Sequence, residues 1–224
     1  MSTLFEPDKS HRRRLPVWYT VRMAEPGSGE VSSDTCALRL DPCTFSIDLN
    51  AMARRPLPGA IAAAAVAAAM GAALIAKSVR VALRHQELGG RDRAEMEELA
   101  GQTGQTVKNL LALAGDDTLA YRSVLDTRAM AAHEPARQRA WLAAAEVPLR
   151  LAELSAPLEE SIPALFDCCP PVVHLDLQIG VSLLRAASEG GRLAAEANLE
   201  NCGECDEAGL LRRRLAVLRE PQLD

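Results

Sequence analysis

Eighteen consecutive residues, Gly59 to Ala76, carry no charge, and most of them are alanine. Alanine is the strongest helix former and loses no side-chain freedom in a helix, so this run predicts a helix from Gly59 to about Gln86. Pro56-Leu57-Pro58-Gly59 makes a stiff turn ahead of it, with Pro58 suited to a position just before or in the first turn. A rod lined with methyl groups lets neighbours come close, and the expectation is a central helix surrounded on all sides. Eighteen uncharged residues also reach the lower bound of a membrane span. However, alanine is weakly apolar, and both flanks are basic, Arg54 and Arg55 on one side and Lys77, Arg80 and Arg84 on the other. That removes the charge asymmetry which orients a span, so no membrane is expected as a partner. Aromatic residues amount to 3% of the chain, which disfavours sheets. The fold class expected is all-α, an up-and-down helical bundle with the alanine-rich helix at its centre.

The rest of the chain fits such a bundle. Residues 1–44 are rich in Pro, Ser, Gly and charge without an apolar period and read as an irregular N-terminal arm. A helical domain over 45–224 begins with a short piece, Phe45 to Ala53. After the alanine helix, Gly89-Gly90 marks a stop. The next helix, Arg91 to Ala114, carries Met96, Leu99, Thr103, Val107, Leu110 and Ala114 on one stripe. Asp116 or Asp117 is suited to cap a third helix running to Ala132. A fourth starts near Pro135 and should kink at Pro148, with Leu142, Ala145, Leu149, Ala152 and Leu158 inward. Cys168-Cys169-Pro170-Pro171 breaks the chain. A fifth long helix, His174 to Leu199, repeats small and apolar residues at Leu175, Ile179, Ser182, Ala186, Gly190, Leu193 and Ala197. A basic helix, Asp206 to Arg219, closes the domain. Long helices joined by short loops favour antiparallel neighbours.

A net charge of −5 offers no basic face for nucleic acid. Met1 to Leu15 is polar and lacks the pattern of an export signal. A cytoplasmic location and reduced thiols are therefore expected for the six cysteines. Cys202-Gly203-Glu204-Cys205 has the spacing of half a zinc site, for which the other half would have to come from Cys168, Cys169 or His174. Ordinary thiols are the expectation, with no metal.

Several segments together resemble the folate-dependent cyclodeaminase/cyclohydrolase family, which includes methenyltetrahydrofolate cyclohydrolases and the cyclodeaminase half of formiminotransferase-cyclodeaminase. The family's P-T-P-G-G-G-S turn before an alanine/glycine-rich helix is matched by Pro56-Leu57-Pro58-Gly59-Ala60-Ile61-Ala62 and by Ala67 to Leu74. Its D-x-x-A-[FY] stretch is Asp117-Thr118-Leu119-Ala120-Tyr121, and its A-x-x-V-P-L is Ala144 to Leu149. Of G-N-x-x-x-x-S-D the aspartate remains as Asp176, and of the closing N-V-x-I-N-L the pair Asn198-Leu199 remains. The glycine triplet and serine are replaced by Gly59-Ala60-Ile61-Ala62, and Lys77 stands where the family has a core methionine.

The resemblance implies a tetrahydrofolate derivative as substrate. The reaction implied is either water-driven opening of a methenyl bridge or closure of a formimino group with loss of ammonia. Both pass through a tetrahedral carbon between two nitrogens and need proton transfer, which suits a carboxylate of raised pKa. On this reading Asp176, Asp117 and Lys77 are the candidate catalytic residues, and Pro58, Gly59 and Asn198 the candidate folate-binding residues. The nearest structural alternatives are helix caps for both aspartates and a snorkelling lysine for Lys77. His174 and the run Arg212-Arg213-Arg214 are secondary candidates, the run for a polyglutamate tail. A homodimer is also implied, with the alanine helix in or near its interface. The alternative function is a catalytically degenerate member acting as a binding or interaction module.

Overall fold

A computed structural model describes residues 53–55, 57–85 and 90–218. The arm expected over 1–44 and nearly all of the helical piece at 45–53 lie outside the described residues.

The described chain is all-α, with no strand among these residues. Four long helices form the bundle: α1 (Ala60–His85), α2 (Gly90–Thr127), α3 (Pro135–Glu160) and α5 (His174–Leu199). A short α4 (Ile162–Cys168) and a 3-10 turn (Pro171–Val173) join α3 to α5, and α6 (Asp206–Val217) packs outside on α3 and α5. Around the bundle each helix touches two neighbours, in the order α1, α2, α3, α5 and back to α1. Paired contacts run in opposite directions, Gly71 with Gly180 and Lys77 with Asp176, so adjacent helices are antiparallel. One end of the bundle, the head, gathers the start of α1, the end of α2, the start of α3 and the end of α5. The tail gathers their other termini.

Small residues decide how closely α5 meets its partners. A Cβ on Gly71 would stand 2.7 Å from the Gly180 carbonyl oxygen, and one on Gly180 3.0 Å from that of Gly71. Three turns on, a Cβ on Gly191 would meet the Pro148 carbonyl at 2.6 Å. No side chain fits at such distances, so α1 and α3 both approach α5 backbone to backbone. Among the described residues the buried polar side chains, Ser78, Thr103 and Ser155, each donate to the carbonyl four residues back, at 2.9, 2.7 and 2.8 Å. That satisfies the hydroxyls without a partner helix.

Three sequence expectations change. The alanine helix occupies a corner of the bundle, not its centre: Ala62, Ala65, Ala68, Ala69, Ala72, Ile75 and Val79 are buried, while Met70, Ala73, Lys77, Arg80 and Arg84 are exposed. By length and composition α1 could cross a membrane; in the bundle α2 and α5 pack on it. The helices expected either side of Asp116 are one, because α2 runs unbroken from Gly90 to Thr127. On α5 the buried residues are Leu177, Gly180, Leu184, Ala187, Gly191, Ala195 and Leu199. The apolar repeat at Leu175, Ile179, Ser182, Ala186, Leu193 and Ala197 faces outward. As expected, α3 runs past Pro148, and it continues through Pro157 to Glu160.

Candidate functional site

At the head, Pro58 and Gly59 lead into α1 half-exposed, and the Gly59 carbonyl accepts the first helical bond, from the Ala63 N–H at 3.2 Å. The amides that follow in the first turn have no carbonyl behind them within the helix. The Asp117 carboxylate reaches across from α2 toward one of these, the Ala62 N–H, which favours its charged form. Asp117 therefore faces the head of α1 and caps no helix of its own, since α2 runs straight through it. Burial pushes the Asp117 carboxyl above the ordinary carboxylate pKa, and the Ala62 N–H pulls it partly back. On the flank of α2 next to Asp117 a groove of about 350 Å³ opens between α2 and α3, lined by Asp116, Leu119, Ala120, Ser123, Ala143, Glu146 and Val147.

Asn198 lies toward the same end, with a different partner. Pro148 has no N–H, so inside α3 it leaves the carbonyl of residue 144 without its helical donor. The Asn198 side-chain amide donates to that carbonyl, Ala144 O, at 2.6 Å. A proline on one helix and an asparagine on the next thus make one contact, and the amide of this candidate folate-binding residue is engaged by α3. The proline, four residues beyond the carbonyl it orphans, was the sequence signal for this role.

At the tail, Lys77 on α1 and Asp176 in the first turn of α5 form an ion pair at 2.8 Å, with the lysine side chain 59% exposed and the aspartate 24%. Asp176 is not the N-cap, which is Val173. Around the pair the corner is knitted together. His174 Nε2 donates to the Cys169 carbonyl at 3.0 Å, its ring meets Phe166 edge-on at 5.1 Å, and the Cys169 thiol points at the Ser78 carbonyl at 3.8 Å. Burial, with a smaller contribution from Cys168, pushes the Cys169 thiol up to about 11.

The sequence candidates thus separate into two sets. Lys77 lies fifteen residues along α1 from Ala62, about 22 Å at 1.5 Å per residue. Asp117 is brought to the first turn of α1, at Ala62, and Lys77 is brought to Asp176; the two sets lie apart. The basic run on α6 is largely engaged. Arg214 forks onto Glu153 at 2.8 and 2.7 Å and onto Glu146 at 3.0 and 2.8 Å, bonds that raise its already high pKa. Arg212 donates to the Leu199 and Gly203 carbonyls. The pair Cys202/Cys205 follows α5 and the pair Cys168/Cys169 precedes it. A helix of 26 residues, about 39 Å long, separates the pairs, so they do not join in one metal site. Among the described residues no group of three or more His, Cys, Asp or Glu is placed to hold a metal ion.

An antiparallel helical bundle with a carboxylate seated on the head of an alanine-rich helix is the class of protein that fold and site define. The formiminotransferase-cyclodeaminase family profile matches residues 48–216, and the chain belongs to that family. Among solved structures it is similar to the formiminotetrahydrofolate cyclodeaminase of Thermotoga maritima, at 21% identity and a TM-score of 0.67, over 74% of this chain and 82% of that one. A comparison with curated proteins finds no significant match.

Proposed function

We propose that the protein binds a reduced folate at the head of α1 and carries out acid–base chemistry on its one-carbon bridge with Asp117. The observation that carries this reading is the seat of Asp117, a half-buried carboxyl of raised pKa held against the turn where the family places its ligand-binding glycines. Opening a methenyl bridge requires removing a proton from the attacking water and delivering one to the leaving nitrogen. A carboxyl whose pKa is lifted toward neutrality serves both steps better than an ordinary aspartate. Lys77 and Asp176 neutralise one another at the tail and act in this scheme as a structural pair. The test is absorbance-monitored hydrolysis of methenyltetrahydrofolate, with formimino-group cyclisation as the companion assay. Turnover by the wild type that is lost in Asp117→Ala supports the proposal; no turnover above background in either assay overturns it.

A second reading, a family member that binds without turnover, is favoured by one feature. Ala60, Ile61 and Ala62 replace small or hydroxyl-bearing residues at the head of α1, and the Ala62 amide is already bonded to Asp117. Calorimetric binding of a reduced folate in the absence of turnover would select it.

We further propose a homodimer across α1 and α5. Met70 is 53% exposed, Leu175 65% and Leu193 51%, together with Ala73, Ile179 and Ala186 on the same two adjoining helices. An apolar surface of this kind, on helices with tight internal packing, suits a self-complementary two-fold contact. Light scattering at micromolar concentration should give a dimer, and Ile179→Glu a monomer. A monomeric wild type overturns this.

A further inference from the structure

The loop between α5 and α6 holds chemistry that the folate reading leaves unused. Cys202 is fully buried, and its thiol donates toward the Asn198 carbonyl at 3.5 Å. Gly203 follows at a φ of 71°, a conformation natural to glycine, and turns the chain so that Cys205 becomes the N-cap of α6. There Cys205 is half-buried, and its sulfur accepts the Ala208 N–H at 3.4 Å. Its sulfur therefore sits at the positive end of a 12-residue helix. Arg212, from the next turns of α6, donates to the Leu199 and Gly203 carbonyls at 3.3 Å each, so a guanidinium stands over the same loop. Arg212 also pairs with Glu204 of the loop at 3.2 Å, so the half-buried thiol sits at a helix N-terminus beside an ion pair, with the fully buried thiol three residues before it.

We propose that Cys202 and Cys205 are a redox dithiol, oxidised to an intrachain disulfide by low-molecular-weight disulfides of the glutathione class. Cys205 is the attacking group. After losing its proton to solvent, its thiolate attacks one sulfur of oxidised glutathione, forms the mixed disulfide and releases one glutathione thiolate. Cys202 then gives up its proton, attacks the Cys205 sulfur and expels the second glutathione thiolate. The two released thiolates take up the two protons, so the protein dithiol loses two electrons and the glutathione disulfide gains them. The order follows from the surroundings. Burial first, and then the charge of Cys205, push the Cys202 thiol up to about 11, while Arg212 pulls it down. Once the Cys205 sulfur is tied up in the mixed disulfide, its thiolate charge no longer opposes ionisation of Cys202, while Arg212 stays in place beside Glu204. The disulfide would tie the end of α5 to the start of α6.

The experiment uses the full chain, reduced and then equilibrated under native conditions with a large excess of oxidised over reduced glutathione. Free thiols are then blocked, and the protein is digested with trypsin. The peptide Leu193–Arg212 contains both cysteines. It is expected to lose 2 Da, to regain them on reduction, and to show no loss in Cys205→Ser, a variant that keeps a good N-cap and so keeps the fold. Cys169, buried against α1, is expected to stay a blockable thiol only after denaturation, which shows that oxidation did not pass through unfolding. A peptide with both thiols free, one carrying only a glutathione adduct on Cys205, or modification of Cys169 alongside the pair would each overturn the proposal.

Discussion

The two ends of the bundle are built from the same four helices and hold their carboxylates in opposite ways. At the tail, Asp176 meets a lysine at 2.8 Å, in water's reach. At the head, Asp117 meets only a backbone amide, and burial raises its pKa. A charge matched by a charge is electrostatically quiet, whereas a half-desolvated carboxylate on a helix N-terminus is poised to exchange a proton. The difference teaches that two aspartates of one chain are set in opposite electrostatic states by their partners and burial alone.

The largest test of this contrast is kinetic. Asp117→Ala should lower turnover of the folate substrate by about a hundredfold or more, the scale of a lost acid–base group. Asp176→Ala should leave it within a few-fold, and the reverse result would exchange the roles of the two ends. Next comes the crossing between them. Gly71→Val places methyl groups against a carbonyl 2.7 Å from the new Cβ and should cost about 2–3 kcal/mol by overpacking. Urea unfolding reads this out, and a neutral result would mean that α1 and α5 separate freely. Asn198→Ala should cost about 1–3 kcal/mol, because it leaves the Ala144 carbonyl without a donor. In a Pro148→Ala background the helix supplies its own N–H, so the same substitution should cost much less. Equal costs in both backgrounds would detach Asn198 from Pro148.

Smaller still is the pH dependence of stability carried by Asp117. Its folded pKa lies above the unfolded value near 3.8, so the folded state binds this proton more tightly. The group therefore favours folding most below that value, and the contribution is lost as pH rises through the folded pKa. Asp117→Asn keeps an acceptor for the Ala62 N–H and should flatten that part of the stability profile measured by chemical denaturation; an unchanged slope would contradict the raised pKa. The smallest effect belongs to the tail. Lys77→Met removes an exposed ion pair and should change stability by about 0–1 kcal/mol, with a reduced response to salt. A larger loss would show that this end is no quieter than the head.

Much of this could be read along the chain, and the exceptions have physical causes. The α2 stripe Met96, Thr103, Leu110 and Ala114 is buried as its spacing predicts, since one apolar stripe on a polar helix leaves a single choice. Asp117 was legible as a candidate acid, but its seat at the head of α1 was not. The amide it meets belongs to a residue 55 positions earlier, Ala62, and no local pattern specifies that contact. The Arg214 clamp on Glu146 and Glu153 was not legible for the same reason.

The sequence by itself determined the helices: alanine and leucine set where they run, and prolines and glycines set most of where they stop. The alanine run that dictates α1 also made close packing possible. The tertiary structure alone decided which way the helices face. On α5 two apolar stripes share one helical period, and periodicity cannot choose between them. The stripe with Gly180 and Gly191 is turned inward because only there can the backbones of α1 and α3 come close enough to pack. The stripe with Leu175 and Ile179 is left on the outside. In the same way α1, apolar on every side in its first half, took a corner of the bundle because only two long helices pack on it.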